Sequence, residues 1–167
     1  MRTQNIITII SFILLFSSAA TIVKAQDQVI HVGGDVGKPF DITERTFSTM
    51  TQVHVKITGR DSVKHDYTGV SLFDLLSKAN AIIGGQLKGK QLTKYVLITA
   101  ADGYKILLSL AEIDPAFTDN QVVLVNKDNG ADLAVNYGPY RLIVAGDKRP
   151  ARSAMRVTSI DVYSAAK

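Results

Sequence analysis

Strict alternation of apolar and polar residues marks the clearest strand in the chain. Val53, Val55 and Ile57 fall on one face and His54 and Lys56 on the other, the period-two pattern of a half-buried strand with Ile57 pointing into the protein. A shorter run, Val29-Ile30-His31-Val32, predicts a strand that ends in the turn-rich residues 33–39. There the glycines permit positive φ and Pro39 stops a ladder, and residues 40–43 predict a short return strand. The period changes after Gly69. Leu72, Leu75, Leu76 and Ala79 recur at helical spacing and predict a helix with one face on the core. Ser71 is placed to cap it, with Asp74 three residues on, and the two glycines within residues 80–85 suit its end. Residues 95–100 form a continuous apolar run that predicts a buried strand, and Asp102-Gly103 a tight turn into a return strand over residues 104–108. Ser109 and Glu112 have capping-box spacing before Pro115, which predicts a short helical turn. Residues 122–125 predict a strand running toward the turn Asp128-Asn129-Gly130, and residues 156–163 a final strand. Several short strands, one clear helix and no strict βαβ alternation point to an α+β domain.

The N-terminal stretch follows another pattern. Arg2 precedes a mostly apolar segment over residues 6–20, and Val23-Lys24-Ala25 offers small or short residues before Gln26. This is the pattern of a signal peptide over residues 1–25, leaving one domain over residues 26–167 and an expected periplasmic or secreted location. The apolar segment is too short to favour a permanent span, so no membrane contact is expected after cleavage.

Charge and cysteine count narrow the functions further. The formal net charge of +4 includes Arg2 and Lys24, so the processed chain carries about +2, too balanced a surface to indicate a nucleic-acid partner. The 167 residues contain no cysteine, which excludes disulfides, thiolate metal ligands and a cysteine-borne lipid anchor. The three histidines, His31, His54 and His65, lack the close spacing of a zinc site, and no metal site is expected from them. No Ser-His-Asp pattern, phosphate-cradling glycine loop or paired carboxylates stand out.

Candidate chemistry gathers late in the chain, in Asn136-Tyr137-Gly138-Pro139-Tyr140-Arg141 ahead of the apolar residues 142–145. Arg141 is either an ion-paired residue opening a strand or a fixed cation for an anion. Asn136 is either a turn former or a ligand. Lys148, Arg149, Arg152 and Arg156 surround Pro150 and form either a solvated basic loop or the wall of an anion pocket.

Three segments, taken in order, resemble a known family. Thr68-Gly69-Val70-Ser71-Leu72-Phe73-Asp74-Leu75-Leu76, Ala101-Asp102-Gly103-Tyr104 and Pro139-Tyr140-Arg141-Leu142-Ile143-Val144 resemble the sulfite-oxidase-type molybdopterin-binding domain. The opening turn Gly34-Asp35-Val36-Gly37-Lys38-Pro39 is similar to that family's first turn. The resemblance implies a fold of mixed, mostly-β sheets with few helices, and molybdopterin as the ancestral cofactor. It also implies cofactor-binding roles for Asn136 and Arg141, which have the family's five-residue spacing, and for Arg152 and Ser153 in Arg152-Ser153-Ala154-Met155. Two departures stand against an ordinary member. Met155 replaces a Lys of the family's motif, and Ile57 occupies the place of the cysteine that ligates molybdenum. The expectation is therefore a cysteine-free, degenerate or non-redox binder of an anionic small molecule, pterin-like by descent, with no catalytic residue assigned. The other two readings are an oxidoreductase with a non-standard cofactor site and an interaction module for a protein partner.

Overall fold

The computed structural model describes residues 28–59 and 62–165. The proposed leader, residues 1–25, lies outside the described residues. Among the described residues, ten strands form two five-stranded sheets. The first sheet has the order β2-β1-β10-β5-β6, with β1 Ile30–Gly34, β2 Phe40–Ile42, β5 Lys94–Ala100, β6 Lys105–Ser109 and β10 Val157–Ser164. Only the β1–β10 pair is parallel; the others run antiparallel. The second sheet has β4 (Lys64–Ser71) between β3 (Val53–Thr58) and β7 (Val122–Asp128). Both β8 (Ala131–Asp132) and β9 (Arg141–Val144) pair with β7, β9 at its beginning and β8 at its end.

The helix after Gly69 forms over Leu72–Lys78 (α2) and buries Leu72, Leu75 and Leu76, as the spacing predicts. Its N-terminus differs from the expectation. Ser71 makes no side-chain cap bond and is extended, with ψ 134°. It is the last residue of β4 and is paired with Val123, so strand passes into helix without an intervening cap loop. At the other end the left-handed residue is Asn80, at φ 54°, not a glycine; Asn tolerates that region better than most side chains. A short helix, α1 (Glu44–Ser48), has a capping box between Thr43 and Thr46 that the hydrophobic pattern does not reveal. The box expected from Ser109 and Glu112 forms and starts a single 3-10 turn.

One apolar cluster joins the sheets and α2. It holds Ile30, Val32, Val96, Ile98, Ile160 and Val162 from the first sheet and Val70, Val122, Leu124, Leu142 and Val144 from the second. The run over residues 95–100 is not buried on both sides, as the unbroken apolar sequence suggests: Lys94, Val96, Ile98 and Ala100 are buried and Tyr95, Leu97 and Thr99 are half-buried. The second sheet has a further apolar cluster of Val55, Tyr67, Val123, Val125 and Ile143. These residues alternate with the core-facing ones along β4, β7 and β9, so they occupy the opposite face. The candidate site lies on that face.

Candidate functional site

Register across the second sheet decides which side chains meet. Directly paired residues of antiparallel strands project to the same face. Ile57 pairs with His65 and Val55 with Tyr67, Tyr67 with Asp128, and Val125 with Arg141. The place of the family's metal-ligating cysteine therefore shares a face with the Arg141 side chain.

Tyr67 links the parts. Its ring stacks on His65 at 5.3 Å between centroids with 9° between planes, as two residues spaced by two on one strand allow. Its hydroxyl accepts a hydrogen bond from Arg141 Nη1 at 3.0 Å. The guanidinium carbon lies 5.6 Å from the Tyr67 ring centroid and 5.1 Å from that of Tyr137, within cation–π range of both. Burial pushes the Tyr67 phenol above its ordinary range, against the opposing pull of the Arg141 charge. His65 Nδ1 lies 2.6 Å from Asp128 Oδ2, and both side chains are about three-quarters buried. Two buried polar atoms here have no partner among the described residues: Arg141 Nε and Asp128 Oδ1.

The turn before β9 sets the position of Tyr137. Its N–H donates to the Ala134 carbonyl at 2.8 Å, and its own carbonyl accepts from Arg156 N–H at 3.1 Å. Arg156 adopts a left-handed backbone with φ 52°, a conformation that strains a residue with a long side chain. The Gly138–Pro139 bond is cis. Tyr140 then turns inward, almost fully buried, with its ring edge-on to Phe47 of α1 at 5.0 Å.

The four residues expected to hold the cofactor divide sharply. Arg141 lies in the face just described and keeps an unpartnered donor. Asn136 is exposed in the turn before β9. Arg152 is paired with carboxylates: Nε and Nη2 donate to Asp147 at 2.8 and 2.6 Å, and Nη1 donates to Glu112 at 2.7 Å. Asp147, then Glu112, push the guanidinium pKa up, and Arg152 holds the Asp147 carboxyl below its usual range. Ser153 is buried, and its hydroxyl accepts the Val144 N–H at 3.1 Å, so it fastens β9 to the following loop. Met155, bridged to Arg141, also lines a cavity of about 370 Å³ with Ala100, Asp102, Tyr104, Pro150, Ala151, Ser153 and Ala154. Tyr104 closes one side by donating to the Ala151 carbonyl at 2.9 Å.

His65 and Tyr67 carry no recognisable motif, and Asp128 and Tyr137 stand in turn segments whose residues give no sign of this contact. The one available signal is that His65 and Tyr67 lie two apart, on one face of any strand formed there. Asp128, the partner of His65, is 63 positions away, and only the strand register joins them.

A molybdenum centre of the family's usual kind does not fit these residues. Ile57 offers no donor, the chain has no cysteine, and no group of three His, Asp or Glu side chains converges among the described residues. Arg141 brings a fixed charge and an unsatisfied Nε–H to this face, which also carries the Asp128 carboxylate.

Comparison with known proteins agrees on the fold. The model of the oxidoreductase molybdopterin binding domain matches residues 18–166. The fold is similar to that of the sulfane dehydrogenase SoxCD from Paracoccus pantotrophus, with a TM-score of 0.67 and 19% identity over 84% of this chain. The chain spans 39% of that protein's chain. No curated sequence matches. The chain belongs to the oxidoreductase molybdopterin binding domain family and has the sulfite-oxidase-type fold, without a cysteine to ligate molybdenum.

Proposed function

We propose that this is an exported, non-redox member of the family that binds a small anion through Arg141. The observation that carries this reading is the state of that guanidinium. It is held between Tyr67 and Tyr137, fixed at one end by the Tyr67 hydroxyl, and left with a buried, unsatisfied Nε–H. A buried donor without an acceptor costs roughly 1–3 kcal/mol, and more when charged, and an anion beside the guanidinium offsets part of that cost. The retained scaffold supports a pterin-like anion as one ligand class, and the absence of cysteine supports a role without thiolate-bound molybdenum. Export rests on the leader-like residues 1–25.

Isothermal calorimetry of the full chain with inorganic phosphate tests the binding. Saturable heat that disappears in Arg141→Ala supports the reading, provided the variant keeps its circular dichroism; equal heat from both proteins contradicts it. Fractionation of the native host tests export: product in the periplasm or medium with residues 1–25 removed supports it, and an uncleaved cytoplasmic chain opposes it.

A further inference from the structure

The Asp128 carboxylate fixes more than the position of His65. A carboxylate accepts hydrogen bonds, so the 2.6 Å contact from Asp128 Oδ2 to His65 Nδ1 places the proton of the neutral ring on Nδ1. Nε2 is then left with its lone pair, and it has no hydrogen-bond partner among the described residues. The His65 side chain is about one-fifth exposed, enough for contact at one ring edge. Arg141 presents the opposite character, a cationic N–H donor. Both flank the same tyrosine, at 5.3 Å and 5.6 Å from its ring centroid, so the two groups lie within about 11 Å of each other.

From this pairing we infer that His65 is a specificity-determining residue. The face selects an anion that brings its own hydrogen-bond donor, with the anionic end on Arg141 and an O–H or N–H on His65 Nε2. This deepens the proposed function and rests on an anion binding at Arg141. A ligand of matched charge without the donor leaves Nε2 unsatisfied when it covers His65, and a missing partner for a buried polar group is a strong source of discrimination. Small hydroxylated phosphate monoesters and hydroxy acids share the required chemistry.

Two ligands of equal charge and similar reach separate the possibilities: glycerol 3-phosphate, which carries hydroxyls, and propyl phosphate, which carries none. A second arm with 4-hydroxybutyrate and butyrate separates phosphates from carboxylates. Calorimetry on the full chain is expected to show glycerol 3-phosphate binding about fivefold or more tighter than propyl phosphate, in proportion to one hydrogen bond. In His65→Leu that preference is expected to vanish, with glycerol 3-phosphate losing affinity and propyl phosphate binding at least as tightly as in the wild-type chain, since no acceptor is left unsatisfied. His65→Gln, which keeps an acceptor of similar reach, is expected to restore part of it and provides the check if the Leu variant does not fold. Equal binding of both phosphates by the wild-type chain, or a preference that survives in His65→Leu, overturns the inference while leaving Arg141 as the anion site. Failure of all four ligands to bind overturns the anion reading itself.

Discussion

Arg141 donates from Nη1 to the Tyr67 hydroxyl at 3.0 Å across 74 positions of sequence, and this bond ties β9 to β4 although β7 lies between them. Replacing Tyr67 with Phe removes the acceptor and leaves a second guanidinium donor without a partner in a largely buried setting. We expect Tyr67→Phe to lower stability by about 1–2 kcal/mol. In a double-mutant cycle with Arg141→Lys, the two changes should be less than additive. Full additivity in urea unfolding would show that the bond has no energetic weight.

Arg152 is paired with Asp147 and Glu112, and its side chain is 36% exposed, so screening discounts the pairs. Arg152→Met is expected to cost about 1 kcal/mol, a fall in melting temperature of roughly 3 °C for a domain of this size. Phosphate binding should be unchanged. A variant that melts normally but loses phosphate would return Arg152 to the ligand site.

Acid stability follows from three carboxyls. Lys94 hydrogen-bonds Asp35 and lowers its pKa, and Arg152 does the same for Asp147. Burial opposes ionisation of Glu112, but hydrogen bonds from Arg152 and Ser109 outweigh it and the carboxyl is also lowered. Folded values below unfolded ones mean that the stability is present above the ordinary carboxylate range, at roughly pH 4. It is lost as pH falls through the folded values. Urea midpoints are expected to stay level from about pH 7 to 5 and to drop below about pH 4, less steeply in Arg152→Met. Level midpoints down to pH 3 would count against these pairings.

Gly69 sits at the irregular step where β4 shifts register against β7. A Cβ there would press into the backbone of Leu124 and Val125, which has no rotamer with which to yield. Gly69→Ala is expected to destabilise the domain by about 2–3 kcal/mol, measured by chemical unfolding. A neutral result would mean that β4 can move away from β7.

The sequence showed what local pattern controls. Val53, Val55 and Ile57 alternate because one side of β3 is covered, and Leu72, Leu75 and Leu76 form a helical stripe because α2 has one buried face. The capping box from Ser109 to Glu112 closes within one turn, so spacing alone identifies it. β4 is not legible in the sequence because Lys64, His65 and Asp66 form a polar stretch, although the strand is held on both sides by β3 and β7. Ser71 looked like a cap because its spacing to Asp74 is right, while the incoming strand prevents the cap geometry. At the site, Arg141 was legible from its place before an apolar run. The engagement of Arg152 by Glu112, 40 positions away, and of His65 by Asp128 was not, because such pairs depend on register between strands and loops.

We propose that the family scaffold persists here without thiolate-bound molybdenum. Metal analysis by mass spectrometry, together with the fluorescence of oxidised extractable pterin, tests it on full chain purified from its native host. Molybdenum far below one atom per chain is expected, with or without a pterin-like anion, and any such anion should be lost in Arg141→Ala. One molybdenum atom per chain, retained through purification, would contradict the claim.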